Sequence, residues 1–183
     1  MKELGPLLVM AILAVPICSA ALLALFQDDR VTGRLNAAAS FLTFLASTSL
    51  FFVRPEPGPF LIVDDVNVVF IVLTTFVAFT TSVFSASYIA HELETGRLTP
   101  AYLRFYHAMY QTLMFAMNLA LLSNNVGLMW VSIELATLTT VLMVGLYRTP
   151  AALEAAWKYF ILGSVGIALA LFGTILVYLA ASS

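Results

Sequence analysis

Long apolar stretches alternate with short polar ones along the whole chain, and their lengths decide the reading. The apolar runs cover residues 4–26, 35–53, 66–89, 101–123, 126–147 and 150–180. Each is close to or above the ~20 residues a helix needs to cross a ~30 Å hydrocarbon core. In lipid a helix satisfies every backbone polar group internally. The pattern predicts an all-α integral membrane protein, one transmembrane domain of about six helices.

Local chemistry punctuates the runs. The first follows Lys2, but Glu3 spoils the positive region of a signal peptide, and the stretch is longer than a signal core. It reads as a retained helix, with Pro16 as a kink. Cys18 follows the bulky Ile17, which does not suit a lipoprotein cleavage site. A polar turn, Gln27 to Arg34, leads into the second run, which ends at Arg54-Pro-Glu-Pro-Gly-Pro, a segment no helix tolerates. Phe60 to Val63 reads as a short extended piece. Asp64 and Asp65 then sit at the start of the third helix, where carboxylates cap free N–H groups and face the positive end of the helix dipole. That helix carries Thr74, Thr75, Thr80, Thr81, Ser82, Ser85 and Ser87, which suit helix–helix contact in lipid, with a water-lined path as the alternative. Asn124-Asn125 makes the turn into the fifth helix. Thr149 as N-cap and Pro150 at the first helical position open the sixth. Gly166, Ala170 and Gly173 form a small-residue stripe along it that admits a close neighbour.

Composition strengthens the membrane reading. Of 183 residues, 62% are apolar and 10% charged, against about half and a quarter in a soluble domain. No basic run suggests nucleic acid. With one cysteine and two histidines, His91 and His107, the chain lacks the ligands for an iron–sulfur cluster or structural zinc. No Gly-rich phosphate loop is present. No cofactor or metal is expected in this chain. Arg30, Arg34, Arg97, Arg104 and Arg148 lie in or beside the odd connections, against Lys2 and Arg54 on the other side. The excess places the odd connections in the cytoplasm and the N-terminus outside.

The informative charges are those inside the runs. Glu134 lies nine residues past Asn125 and fourteen before Arg148, ~13 Å and ~21 Å at the helical rise, so it is close to mid-membrane. A carboxylate there costs roughly 2.5 kcal/mol or more and should face protein or water. Lys158 sits eight residues past Pro150, and the depth difference from Glu134 across the shared turn is roughly 8 Å. Long side chains or one water could couple the two, the lysine lowering and desolvation raising the carboxylate pKa. Such a balance suits a proton relay. The alternatives are a neutral structural carboxyl at Glu134, and for Lys158 a pairing with Glu154 one turn earlier or snorkelling to the interface. His107, near the cytoplasmic end of the fourth helix, reads as interfacial, with proton shuttling as the alternative. Trp130, Trp157 and the tyrosines are ordinary membrane aromatics.

These residues also carry a resemblance. Ser123-Asn-Asn-Val-Gly-Leu-Met-Trp-Val-Ser-Ile-Glu134, followed by Ala136-Thr-Leu, resembles the fifth helix of the antiporter-like subunits of complex I and group 4 membrane-bound hydrogenases. Leu153-Glu-Ala-Ala-Trp-Lys158-Tyr-Phe is similar to the opening of their sixth. His91-Glu92, Leu98-Thr-Pro100 and Gly145-Leu-Tyr147 fit as well, and the hydrogenase-4 component F type is the nearest likeness. It spans Tyr88 to Tyr178; the first 60 residues match only in hydropathy.

The resemblance implies a proton-translocating membrane-arm subunit without redox chemistry of its own. Glu134 is then the fifth-helix channel glutamate and Lys158 the basic residue beside it, with Glu154 and His107 in possible support. It implies partner membrane subunits, and iron–sulfur and nickel–iron centres only in partners, in a bacterial or archaeal cytoplasmic membrane. It also implies the N-terminal six helices of a fold of about fourteen, built as inverted repeats. On that expectation the lysine-bearing broken seventh helix and its later counterpart are absent from these residues, which do not make a complete proton path. A fragment, a split subunit and a shortened scaffold all fit that ending. A cation/proton antiporter subunit or an inorganic-carbon uptake subunit is the competing expectation.

Overall fold

The computed structural model describes residues 4–182 except Gln27, and leaves out the side chains of Asp29 and Arg30. Lys2 and Glu3, weighed above against a signal peptide, lie outside the described residues, as does the Arg30 side chain counted for orientation. Six helices follow in order: α1 (Leu4–Leu25), α2 (Asp29–Ser49), α3 (Asp65–Glu94), α4 (Pro100–Leu122), α5 (Val126–Val144) and α6 (Pro150–Ser182). Among the described residues there is no strand, only an isolated bridge between Leu61 and Ser123.

The termini follow local chemistry. The Asp64 carboxylate accepts from the N–H groups of Val66 and Asn67, and the Asn67 side chain answers the Asp64 N–H at 2.8 Å. Thr99 and Pro100 open α4, the Asn125 side chain accepts from Leu128 N at 3.0 Å, and Thr149 Oγ1 accepts from Ala152 N at 3.1 Å. Two ends depart from hydropathy. α2 begins at Asp29 rather than 35, because Asp28 accepts from Val31 N at 3.2 Å and turns the polar segment into helix. α3 runs past 89 to Glu94, and Gly96 then adopts φ 72°, a left-handed position that suits glycine after a helix. A helix does not stop where its apolar face stops, so hydropathy misplaces both. α1 continues helically through the buried Pro16.

α4 is central and packs against α1, α2, α3 and α5, whereas α6 touches α5 alone among the described helices. α1, α3, α5 and α6 are long and apolar enough to cross a membrane. α2 and α4 are the more polar helices, and the bundle explains why. Asn36, Ser40, Thr43 and Ser47 of α2 and His107, Gln111 and Asn118 of α4 are all buried, while Phe41, Leu42 and Phe105 face outward. The arrangement is polar inside and apolar outside, as lipid favours.

One end of the bundle is tied by backbone. The segment after α2 lies on the end of α4, with Ile62 N donating to Leu122 O at 2.8 Å and Asn124 N to Phe60 O at 2.8 Å. The expected extended piece at Phe60 to Val63 is this docked segment. Arg54 pairs with Asp65 there.

Candidate mid-membrane carboxylate

The turn after α5 returns α6 antiparallel along it, so residues equally distant from that turn meet. Trp130 Nε1 donates to Ile167 O at 3.3 Å, and Ser164 Oγ donates to Glu134 Oε1 at 3.0 Å. A Cβ on Gly163 would come within 3.0 Å of Thr137 Cγ2, so glycine allows the helices their closeness here. Gly166 and Gly173 of the expected small-residue stripe have open space around them instead.

This register places the expected site residues. Glu134 is half-buried at the α5–α6 contact with Ser164 as its partner. Lys158 pairs with Glu154 on its own helix, and both side chains are largely exposed, at 71% and 65%. Lys158 is level with residues near Val141, roughly two turns from Glu134. The structure therefore brings Glu134 to Ser164 and Lys158 to Glu154, and does not bring the glutamate and lysine together. His107 is 1% exposed inside the bundle. Its stripe explains this: His107, Gln111, Met114 and Asn118 share one face of α4, the face turned inward.

A second carboxylate is buried at the far end of α3. Glu92, near the end of α3, is 3% exposed. Arg97 Nη1 donates to its Oε1 at 3.2 Å, and the Tyr147 hydroxyl donates to its Oε2 at 3.2 Å. Tyr88 then donates to Tyr147 across 3.0 Å. Ile89, Leu98, Leu103 and Leu146 pack beneath. Tyr147 lies past the end of α5, and its phenol is held above the ordinary range, first by burial, then by the Tyr88 hydroxyl and the Glu92 carboxylate. Tyr88, Glu92, Arg97 and Leu98 thus form one cluster with Leu146 and Tyr147, about 50 residues later in the chain. Among the described residues no three His, Cys, Asp or Glu side chains gather as metal ligands would.

Two comparisons with known proteins bear on the family. Residues 123–183, which contain Glu134, its helix and α6, match a family described as NADH:quinone oxidoreductase/Mrp antiporter, transmembrane. Over 171 residues, 93% of this chain, the sequence is 59% identical to a hydrogenase-4 component F homolog from Methylacidiphilum infernorum (isolate V4). The aligned region is 36% of that protein's length, so the chain spans about a third of the curated relative it matches. The first 60 residues, expected to match in hydropathy alone, fall largely within that alignment. On these two matches, the chain is similar to antiporter-like membrane subunits of the hydrogenase and complex I family.

Proposed function

We propose that this chain forms part of a proton-translocating membrane subunit of a hydrogenase or NADH dehydrogenase-type complex, with Glu134 as its proton-exchanging group. The observation that carries the proposal is the placement of Glu134: a carboxylate in the middle of a membrane-spanning helix, half-buried and bonded by Ser164 across the α5–α6 contact. Such a group in lipid is expensive to retain without function. One hydroxyl partner leaves the second carboxylate oxygen open to a mobile proton carrier. Lys158, held by Glu154, is in this reading the next charged group of the proton path, roughly two turns from Glu134. Electrons pass through iron–sulfur and nickel–iron centres of partner subunits, and the chain sits in a bacterial or archaeal cytoplasmic membrane with its N-terminus outside.

The test is Glu134→Gln in the assembled complex, with proton translocation measured beside electron transfer. Loss of pumping with electron transfer retained is the expected result. Normal pumping in a normally assembled complex overturns the proposal. A cation/proton antiporter subunit is the second reading, favoured by the Mrp part of the matched family's description. Co-purification separates the two: a nickel–iron and iron–sulfur arm supports the first, a set of antiporter subunits the second.

A further inference from the structure

Away from Glu134, three helices turn polar stripes toward one seam. Asn36, Ser40, Thr43 and Ser47 recur on α2 at helical spacing, Thr75 faces them from α3, and Gln111 from α4. All are at most 3% exposed. Ser47 and Thr75 share a 2.6 Å hydrogen bond. Gln111 Nε2 lies 2.8 Å from Asn36 Oδ1, 3.0 Å from Ser40 Oγ and 3.2 Å from Asn36 O. Three acceptors compete for two amide hydrogens.

The unmet groups are equally specific. Among the described residues Gln111 Oε1 and Asn36 Nδ2 have no partner, nor does His107 Nδ1. Exchanging oxygen and nitrogen in both amides keeps their mutual bond but strands the other oxygen and nitrogen. Asn118, fully buried, has neither Nδ2 nor Oδ1 satisfied, and no exchange mends that. Buried polar groups of native proteins almost always find a protein or water partner. From His107 to Asn118 the unmet groups extend along ~16 Å of α4, about half the hydrocarbon thickness.

Ser40, Thr43, Thr75, Ala78, Gln111 and Met114 line narrow clefts beside them, between α2, α3 and α4, with no room for a water as they stand. Gln111 and Met114 are unbranched and adaptable, so room for a water requires a rotamer change in one of them.

We propose that the α2–α3–α4 seam binds internal water, admitted by movement of Gln111 or Met114 and held by Gln111, Asn36 and Ser40, with a further position at Asn118. A water needs two to four polar partners, and the Gln111 cluster supplies them. The seam is then a hydrated interior, separate from the α5–α6 contact and independent of any role for Glu134.

Radiolytic footprinting of the protein in its native membranes, in isotopically labelled water, tests this. Met114, 7% exposed and lining the clefts, is the reporter, because hydroxyl radicals formed from a bound water oxidise the side chain next to it. Met114 should acquire solvent oxygen, and the joint substitution Gln111→Leu with Asn36→Leu should reduce that at least about tenfold. Gln111→Met alone should reduce it as well, which covers failure of the double variant to assemble. An unoxidised Met114 in the wild type, or oxidation unchanged in the assembled variants, overturns the proposal.

Discussion

Ser164 donates its hydroxyl to Glu134 at 3.0 Å, joining α6 to the mid-membrane carboxylate of α5. The contact exists because Glu134 and Ser164 lie at similar distances, 14 and 16 residues, on either side of Arg148 in the turn. Lys158, nearer that turn, is out of register with Glu134.

Ser164→Ala should therefore perturb Glu134 more than Lys158→Ala does. The lost bond is worth about 0.5–1.5 kcal/mol of stability, more if the carboxyl is ionised. Infrared difference spectra check this: a carboxyl band absent in Glu134→Gln should move in Ser164→Ala and hold its place in Lys158→Ala. An unmoved band in Ser164→Ala would show that the bond has no hold on the carboxyl.

Gly163 sets the closeness that Ser164 needs. Gly163→Leu should force α5 and α6 apart at Thr137 and cost about 1–3 kcal/mol. Thr137→Ala in the same chain should restore part of the loss, because it removes the Cγ2 that the new side chain meets. Unfolding measurements on the two single variants and the double variant give the coupling; simple additivity contradicts the contact.

The Glu92 cluster fastens α3 to the end of α5. Tyr147→Phe leaves a buried carboxylate short of a donor and should cost about 1–3 kcal/mol. Arg97→Gln should cost less, since the Arg97 side chain is 69% exposed and screened by solvent. The raised Tyr147 phenol adds a pH signature. The folded state holds this proton more tightly than the unfolded chain, so the contribution is complete below ~pH 10. It is lost as pH rises through the higher folded value. Stability measured into the alkaline range should show this decline in the wild type and lose that component in Tyr147→Phe.

The arginine asymmetry predicts orientation. In a Cys18→Ser background, Glu56→Cys should react with an impermeant maleimide from outside intact cells, and Glu94→Cys only after lysis. The reverse pattern means the opposite topology.

Sequence by itself determined much of this protein. Helix number follows from run length and from the need to satisfy the backbone in lipid, and the caps at Asp64, Thr99, Asn125 and Thr149 are local interactions within a few residues. The chemical oddity of Glu134 was legible for the same reason: one carboxylate in an apolar run is visible without a partner. Tertiary structure decided the partners. Which residue of α6 meets Glu134 depends on turn geometry and on the fit of Gly163 against Thr137, and depth arithmetic good to a turn or two cannot separate Ser164 from Lys158. The inward stripes of α2 and α4 left a trace in their helical spacing, Asn36 to Ser47 and His107 to Asn118. Only packing shows that the stripes face each other, because the direction of a helix face is set by its neighbours. Glu92 is the clearest case: it reads as one of several charges in a polar connection, and becomes a buried carboxylate only when Tyr147, 55 residues later, closes over it.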